Sequence, residues 1–499
     1  MDYALLLAQY TQAHPGGPRQ QQLHACLRSA IRSGTLAPGI RLLATRQLAA
    51  DLGVARNTVL YAYAQLATEG YVQPDRRGTR VADLVPRPTP ARALPAGPSP
   101  VLSRRAQPAP PRLEPLPEAH WMGAFVPGVP ALADFPLAAW RRQVDHAWRN
   151  LSTVQLNYGA PAGQPLLREA IAAHLRASRG VVCDARQVFI TDGTQSSLNL
   201  CAHAFADAGD TVWLENPGYR GALTAFQAAE LQVHGIPVDA DGLAPGAADW
   251  QQHPPKLIYT TPSHQYPLGS VLSLPRRLAL LAQAQACGAL VVEDDYDSEF
   301  RHDGPPLAAM QGLLPFAPVL YLGTFSKTLF PALRIGFMVV PQPLAAPLER
   351  LLASSVPQGR AADQLALAAF LRSGQFATHL RRMRRLYRQR RDALRSALLR
   401  HFGPDVAVVG GSAGMHLALR LDAAVSDVRV SAQALQHGIV AHALSSHAVG
   451  TGGPVWNGLM LGYAQVPAEH MDAAVEKLAR IVHAQTYGGN RPPALMEWA

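Results

Sequence analysis

The chain has 499 residues, of which 48% are hydrophobic and 16% charged, and its formal net charge is +10. That length exceeds one ordinary core and implies two or three globular domains, while the positive balance favours polyanionic partners. Four scattered cysteines (Cys26, Cys183, Cys201, Cys287) without C-x-x-C spacing exclude a disulfide framework and give no metal site; no apolar run reaches membrane-spanning length.

The first residues, MDYALLLAQYTQAH, lack a basic segment ahead of an apolar run, so a cytoplasmic protein is expected. QQLHACLRSAIRSGTLAPGIRL then sets Leu23, Leu27, Ala30 and Ile31 at helical spacing before breaks at Gly34 and Pro38-Gly39. In TRQLAADLGVARNTVLYAYAQLATEGYV, Leu48, Ala49 and Leu52 make a short apolar face and Gly53 a bend. Val59, Ala62, Tyr63 and Leu66 mark a second helix over residues 54–66, completing a helix-turn-helix. That helix opens with Arg56, Asn57 and Thr58, long or polar donors at the end that would enter a major groove. GYVQPDRRGTRVAD alternates around a turn at Pro74 to Gly78, a hairpin with Arg76, Arg77 and Arg80 at its tip, suited to phosphates or a minor groove.

The proline-dense stretch from Asp83 to Pro117 predicts an extended tether. The expected domains are therefore 1–82, a DNA-binding head; 83–117, a linker; and 118–499, a body. Residues 20–81 resemble the winged helix-turn-helix of the GntR superfamily through SGTLAPGIRL, the helix-turn-helix segment and the wing glycine Gly78. The resemblance implies double-stranded DNA as partner, with contacts from Arg46, Arg56, Asn57, Thr58, Arg77, Gly78 and Thr79. Where that superfamily reads L-P-S-S-R, this chain reads LLATR, which keeps Arg46 without the serine hydroxyl.

In the body, NYGAPAGQPLLREAIAAHL is a glycine-rich loop entering a helix, and VFITDGTQSSLNLCAHAF places Gly193, Thr194 and Gln195 between a strand and a helix. Free amides at such a helix start form a ready phosphate site. TVWLENPGYRGAL, LIYTTPSHQYPLGS, ALVVEDDYDSEF and VLYLGTFSKTLFPALRIGFMVV follow, strand-like runs ending in polar groups. Alternating strands and helices predict an α/β class with an open, mostly parallel sheet and a ligand beyond its carboxyl edge. GTFSKTLFPALRIG holds Lys327, one of only three lysines in a chain that otherwise uses arginine. An amine in a partly desolvated pocket can form a Schiff base, and pyridoxal phosphate (PLP) needs such a lysine, a carboxylate for its ring nitrogen, a stacking ring and a phosphate cup. Asp294, Tyr219, Tyr296, and the set Gly193, Thr194, Gln195, Thr324, Ser326 and Arg334 are candidates for those parts.

With TPSHQYPLG, EDDYDSEFR and GTFSKTLFPALRIG, the body resembles fold-type I PLP enzymes of the aminotransferase class, including their smaller carboxyl-terminal α+β subdomain. Joined to the head, the chain resembles MocR-type transcription regulators. The resemblance makes Lys327 the Schiff-base lysine and Asp294 the ring-nitrogen partner. Tyr296 and His264 fall near the ring oxygen, and Tyr219 stacks. Thr194, Gln195, Thr324, Ser326 and Arg334 fall on phosphate positions, with Tyr158 reaching the phosphate of a neighbouring subunit in a homodimer whose heads cross to the partner body. Aminotransferases carry a carboxylate-gripping arginine where GLMLGYA has Met460, and a thioether cannot replace that bidentate pair. Arg220 offers another anion grip, with a structural ion pair as the alternative.

The expected function is a regulator that senses PLP or a small amine adduct of it and is not an enzyme; a working aminotransferase with a DNA-binding head, or a cofactor-free architectural protein, are the alternatives. Two further segments are less specific. Residues 378–402 read as a basic helix with a solvated face, or alternatively one whose arginines touch DNA or dock the head, and 442–454 as a flexible loop carrying two histidines and no metal site.

Overall fold

The computed structural model describes residues 1–83, 122–304, 307–355, 359–450 and 456–486. From residue 84 onward the expected tether lies outside them. The chain divides into two compact units, Met1–Leu102 and Ser103–Ala499.

The first unit contains helices α1 (Tyr3–Ala13), α2 (Arg19–Arg32), α3 (Thr45–Asp51) and α4 (Arg56–Thr68), then strands β1 (Val72–Asp75) and β2 (Gly78–Val81). Leu23, Leu27, Ile31, Leu48, Val59 and Leu66 close one core, sealed by Val72 and Val81 of the hairpin. Gly53 bends the chain between α3 and α4 at φ 62°, a left-handed conformation that glycine adopts without strain. The second helix begins at Arg56 rather than 54 because Ala55 is extended, at ψ 140°. The hairpin turn is also tighter than expected. Pro74 pairs with Thr79 inside the ladder, leaving Arg76 and Arg77 as the turn. A two-stranded ribbon tolerates that proline because both its strands are edges. Helix α1, capped by the Asp2 carboxylate accepting from the amides of Ala4 and Leu5 at 3.0 Å, had no clear signal in the sequence. Leu66 is fully buried, so Leu66→Ala should cost the head about 2–5 kcal/mol, read as an earlier melting transition with the body's transition unmoved.

The second unit is built on an eight-stranded sheet ordered β3-β10-β9-β8-β7-β4-β5-β6. Its strands are β3 (Val188–Thr191), β4 (Thr211–Asn216), β5 (Gln232–Asp239), β6 (Gly242–Leu243), β7 (Leu257–Thr260), β8 (Leu290–Asp295), β9 (Val319–Thr324) and β10 (Gly336–Val339). Strands β5, β4, β7, β8 and β9 pair in parallel, and β10 is antiparallel to both β9 and β3. β3 therefore runs with the parallel set. Consecutive residues face opposite layers: Trp213, Ile258 and Val291 join one apolar cluster, Leu214, Tyr259 and Val292 the other. A sheet buried on both faces leaves only its ends for polar work.

A smaller antiparallel sheet, ordered β11-β12-β14-β13, comprises β11 (Val408–Gly410), β12 (His416–Arg420), β13 (His442–Ala443) and β14 (Gly458–Gly462). His442 thus lies on a strand, and His447 is buried in the short turn Leu444–His447; the flexible-loop reading fails for both residues. The basic helix is Gln375–Phe402, with Leu380, Met383 and Tyr387 buried. The solvated-face reading does not hold for several of its arginines. Arg384 pairs with Glu299 at 3.1 Å, Arg390 with Asp134 at 3.1 Å and Arg391 with Asp303 at 2.9 Å, while Arg388 donates to the His302 carbonyl at 2.6 Å. These arginines tie the helix to the rest of its own unit.

Candidate cofactor site

Strand direction gathers the candidates. Gly193 follows β3, Tyr219 follows β4 and His264 follows β7; Asp294 and Tyr296 lie at the end of β8. Thr324 ends β9, Ser326 and Lys327 follow it, and Arg334 lies two residues before the antiparallel β10. All of these sit at one edge of the sheet. Tyr158 is apart from them on the surface, 83% exposed.

The alternation of β8 sorts three consecutive carboxylates. Glu293 accepts the amides of Met310 and Gln311 at 2.9 and 3.1 Å. Asp295 on the same face meets the Arg179 guanidinium at 2.8 Å and the Tyr321 hydroxyl at 2.5 Å. Asp294 alone faces the other layer. Its Oδ2 accepts from the Tyr259 hydroxyl at 2.8 Å, whereas its buried Oδ1 has no hydrogen-bond partner among the described residues. Burial pushes the Asp294 carboxyl up to about 7, against the pull of the Tyr259 hydroxyl and of Lys327. A buried acceptor without a donor is costly, and a protonated heterocyclic nitrogen would satisfy it.

The Lys327 amine donates to the Gly128 carbonyl at 2.7 Å. Desolvation lowers its pKa, with the Asp297 and Asp294 carboxylates acting the other way. Gly128 is required by contact as well as conformation: at φ 70°, a Cβ there would stand 2.8 Å from the lysine nitrogen. Tyr219 stands edge-on to Tyr266, with ring centroids 5.5 Å apart. Its phenol is pushed up to about 12, by burial first, then raised by Asp294 and lowered by Arg334. The ring therefore feels both the acid and the guanidinium.

Gly193 caps helix Thr194–Phe205, and the amide of Ser197 is already bonded to the Gly193 carbonyl at 3.1 Å. The amides of Thr194 and Gln195 precede that ladder, at the positive end of the helix. The Gln195 side chain instead donates to the Gly221 carbonyl at 3.0 Å, so it is the backbone of Gln195 that faces this opening. Arg334 adopts φ 50°, unusual for a residue with a side chain, and donates to the Asp192 carbonyl at 2.7 Å. A Cβ on Gly193 would come within 3.5 Å of that guanidinium. Thr324 Oγ1 accepts the Ser326 amide at 3.2 Å, tightening the turn that presents Lys327. The edge thus combines a primary amine, a buried acid, an aromatic ring and a cationic helix-start pocket, the donor set that PLP requires.

Tyr259, Gly128 and Asp297 were not singled out in the sequence. Tyr259 stands opposite Val292 in the pairing of β7 with β8, on the face that carries Asp294, and LIYT alone gave no signal of that pairing. Gly128 acts from far along the chain and had none. Met460 is fully buried on β14, registered with Ala418 and His442. Arg220 donates to the Ser446 carbonyl at 3.1 Å.

The fold and this edge define an aminotransferase-like body joined to a winged helix-turn-helix. Residues 130–478 match the family Aminotransferase class I and II, and residues 19–81 match Bacterial regulatory proteins, gntR family. The body is similar to the α-aminoadipate aminotransferase LysN of Thermus thermophilus, with a TM-score of 0.66 and 28% identity over 73% of this chain and 92% of that one. Over nearly its whole length the chain is 39% identical to the probable rhizopine catabolism regulatory protein MocR of Rhizobium meliloti, covering 95% of this chain and 96% of that protein. It is 34% identical to the pyridoxine biosynthesis transcriptional regulator PdxR of Corynebacterium glutamicum, covering 89% and 91%. The chain belongs to the MocR-type helix-turn-helix transcriptional regulators, with a GntR-type head and an aminotransferase-like body. Among the described residues no helix is long and apolar enough to cross a membrane.

Proposed function

We propose that the body binds PLP at Lys327 and that occupation of this site, by PLP alone or by a small amine adduct of it, sets the affinity of the head for double-stranded DNA. The carrying observation is the buried Asp294 carboxyl, whose Oδ1 lacks a partner at the edge that also holds the Lys327 amine. Asp294 would hold the ring nitrogen and Tyr219 the ring face, with Tyr296 and His264 near the ring oxygen. The amides of Thr194 and Gln195, with Thr324, Ser326 and Arg334, would hold the phosphate; Tyr158 would serve the site of a second copy in a homodimer. Bound PLP supplies an aldehyde that condenses with primary amines and a ring that withdraws electrons. LysN was solved in complex with N-(5'-phosphopyridoxyl)-L-leucine, and PdxR is named for pyridoxine biosynthesis; both support the reading.

Sensing is favoured over turnover because Met460 is a thioether, and a thioether offers a substrate carboxylate no charge. The protein would act in the cytoplasm. For PLP to switch the regulator it must bind two states unequally, since equal affinity shifts no population. Footprinting on the neighbouring intergenic DNA tests this directly: saturating PLP should change the protein concentration needed for half-protection. An identical titration with and without PLP would remove the sensor.

The head carries its own prediction. Arg77 lies at the exposed turn of the wing. Arg77→Ala should weaken binding to all sequences alike and reduce the slope of log affinity against log salt by about 1. A loss confined to one DNA sequence would make Arg77 a base reader instead.

A further inference from the structure

We propose that Asp297, acting through His264, is a positioning residue that fixes the proton of Tyr296 at the sheet edge that holds Lys327. The inference rests on the PLP reading of this site and assigns a role to a carboxylate which that reading leaves idle.

Asp297 is placed by the turn after β8, at φ −146° and ψ 12°, immediately before the short helical turn Ser298–Phe300. Its Oδ2 and Oδ1 lie 3.1 and 3.2 Å from His264 Nδ1. Both side chains are sealed, with 1% of His264 and 2% of Asp297 exposed. The Tyr296 hydroxyl lies 3.0 Å from the same Nδ1 and donates to the His264 carbonyl at 3.0 Å. A ring nitrogen facing a carboxylate carries the proton, because the reverse would set two acceptors together. Nδ1 then cannot take the phenol proton, which goes to the His264 carbonyl. The phenol oxygen keeps a lone pair, and its orientation is fixed by Asp297 at one remove.

Two glycines hold the imidazole in this geometry. A Cβ on Gly414 would fall 2.2 Å from His264 Cε1 and 2.4 Å from Asp297 Oδ2, and one on Gly269 would fall 2.9 Å from His264 Nε2. Any side chain there would separate the pair. The Asp297 and Asp294 carboxylates both favour the charged Lys327 amine against its burial. The remaining groups around the carboxylate are Tyr463, whose phenol is raised by burial and then by Asp297, and His416, with its ring 4.7 Å from that of His264. Burial drives His416 toward the neutral form, so it brings no competing positive charge.

The test is a pH titration of the visible absorption band of the full-length protein loaded with PLP. In Asp297→Asn the midpoint should move to lower pH by about one unit, the effect of removing an opposite charge from the site. Asp297→Glu should return it to near the wild-type value. His264→Phe, which removes the donor that favours the charged carboxylate, should move the midpoint the same way by a smaller amount, and it reads the same relay if the Asn variant does not fold. A loaded wild type with midpoints unmoved in Asp297→Asn and His264→Phe overturns this role while sparing the PLP reading. A colourless wild type overturns both.

Discussion

Lys327→Ala is expected to remain folded and bind DNA, yet to show no absorption band of lysine-linked PLP and no change in footprint at PLP concentrations that saturate the wild type. The chain has two other lysines, and neither can substitute. Lys256 is exposed, and Lys477, also exposed, donates to the His437 carbonyl at 2.7 Å. Lys327 is different in that desolvation lowers its pKa, so a larger share of the amine is neutral and nucleophilic at physiological pH. Removing it leaves Asp294, Arg334 and the helix start in place, so PLP should still bind without a covalent link. Its affinity should fall roughly ten- to a hundredfold, the scale of one charge-assisted contact. Borohydride reduction followed by peptide mass analysis gives the complementary check. The wild type should carry the reduced adduct on the peptide containing Lys327, and the variant on none. An adduct spread over Lys256 and Lys477 would mean that the buried amine has no special role.

Much of this was legible because fold and chemistry left marks at short range. The head could be read through Leu23, Leu27, Leu48, Val59 and Leu66, whose spacing follows the helix period, and through glycines at its bends. In the body, a rare lysine after a strand and an acid at the end of another pointed to one sheet edge. Sequence order could not rank Glu293, Asp294 and Asp295 by charge. Their separation comes from strand pleat together with Arg179 and the amides of Met310 and Gln311, which arrive from distant segments. Gly128 and Asp297 stayed hidden for the same reason. The value of Gly128 is a missing Cβ beside an amine 199 residues away, and that of Asp297 a bond to a histidine 33 residues away. The basic helix misled in the opposite direction. A run of arginines resembles a solvated or DNA-facing surface until partners such as Asp134, Glu299 and Asp303 are brought to it by the fold.

Asp294→Asn should reverse part of the pH dependence of stability in the PLP-free protein. The Asp294 carboxyl is pushed from its ordinary 3.8 up to about 7 in the folded state. Between these values the unfolded chain has lost the proton and the folded chain keeps it, so the folded state binds more protons. Stability therefore falls as pH rises from about 4 to 7 and then levels off, and the contribution reaches up to about 4 kcal/mol for a shift of this size. Glu293, also raised to about 7 by burial, adds a slope of the same sign. That slope is common to wild type and variant, so their difference isolates Asp294. The Asn variant should gain on the wild type between about pH 4 and pH 7 in PLP-free melting experiments, and the difference should then level off. PLP should narrow the gap, because a cationic ring nitrogen favours the ionised carboxyl and stabilises the wild type most at the higher pH. The variant lacks that carboxylate and should gain less from PLP, by about 1.5–3 kcal/mol, the worth of a hydrogen bond to a charged group. Parallel pH curves for the two PLP-free proteins would mean that Asp294 is ionised and satisfied in the folded state, and the acid would then have no vacancy for a ring nitrogen.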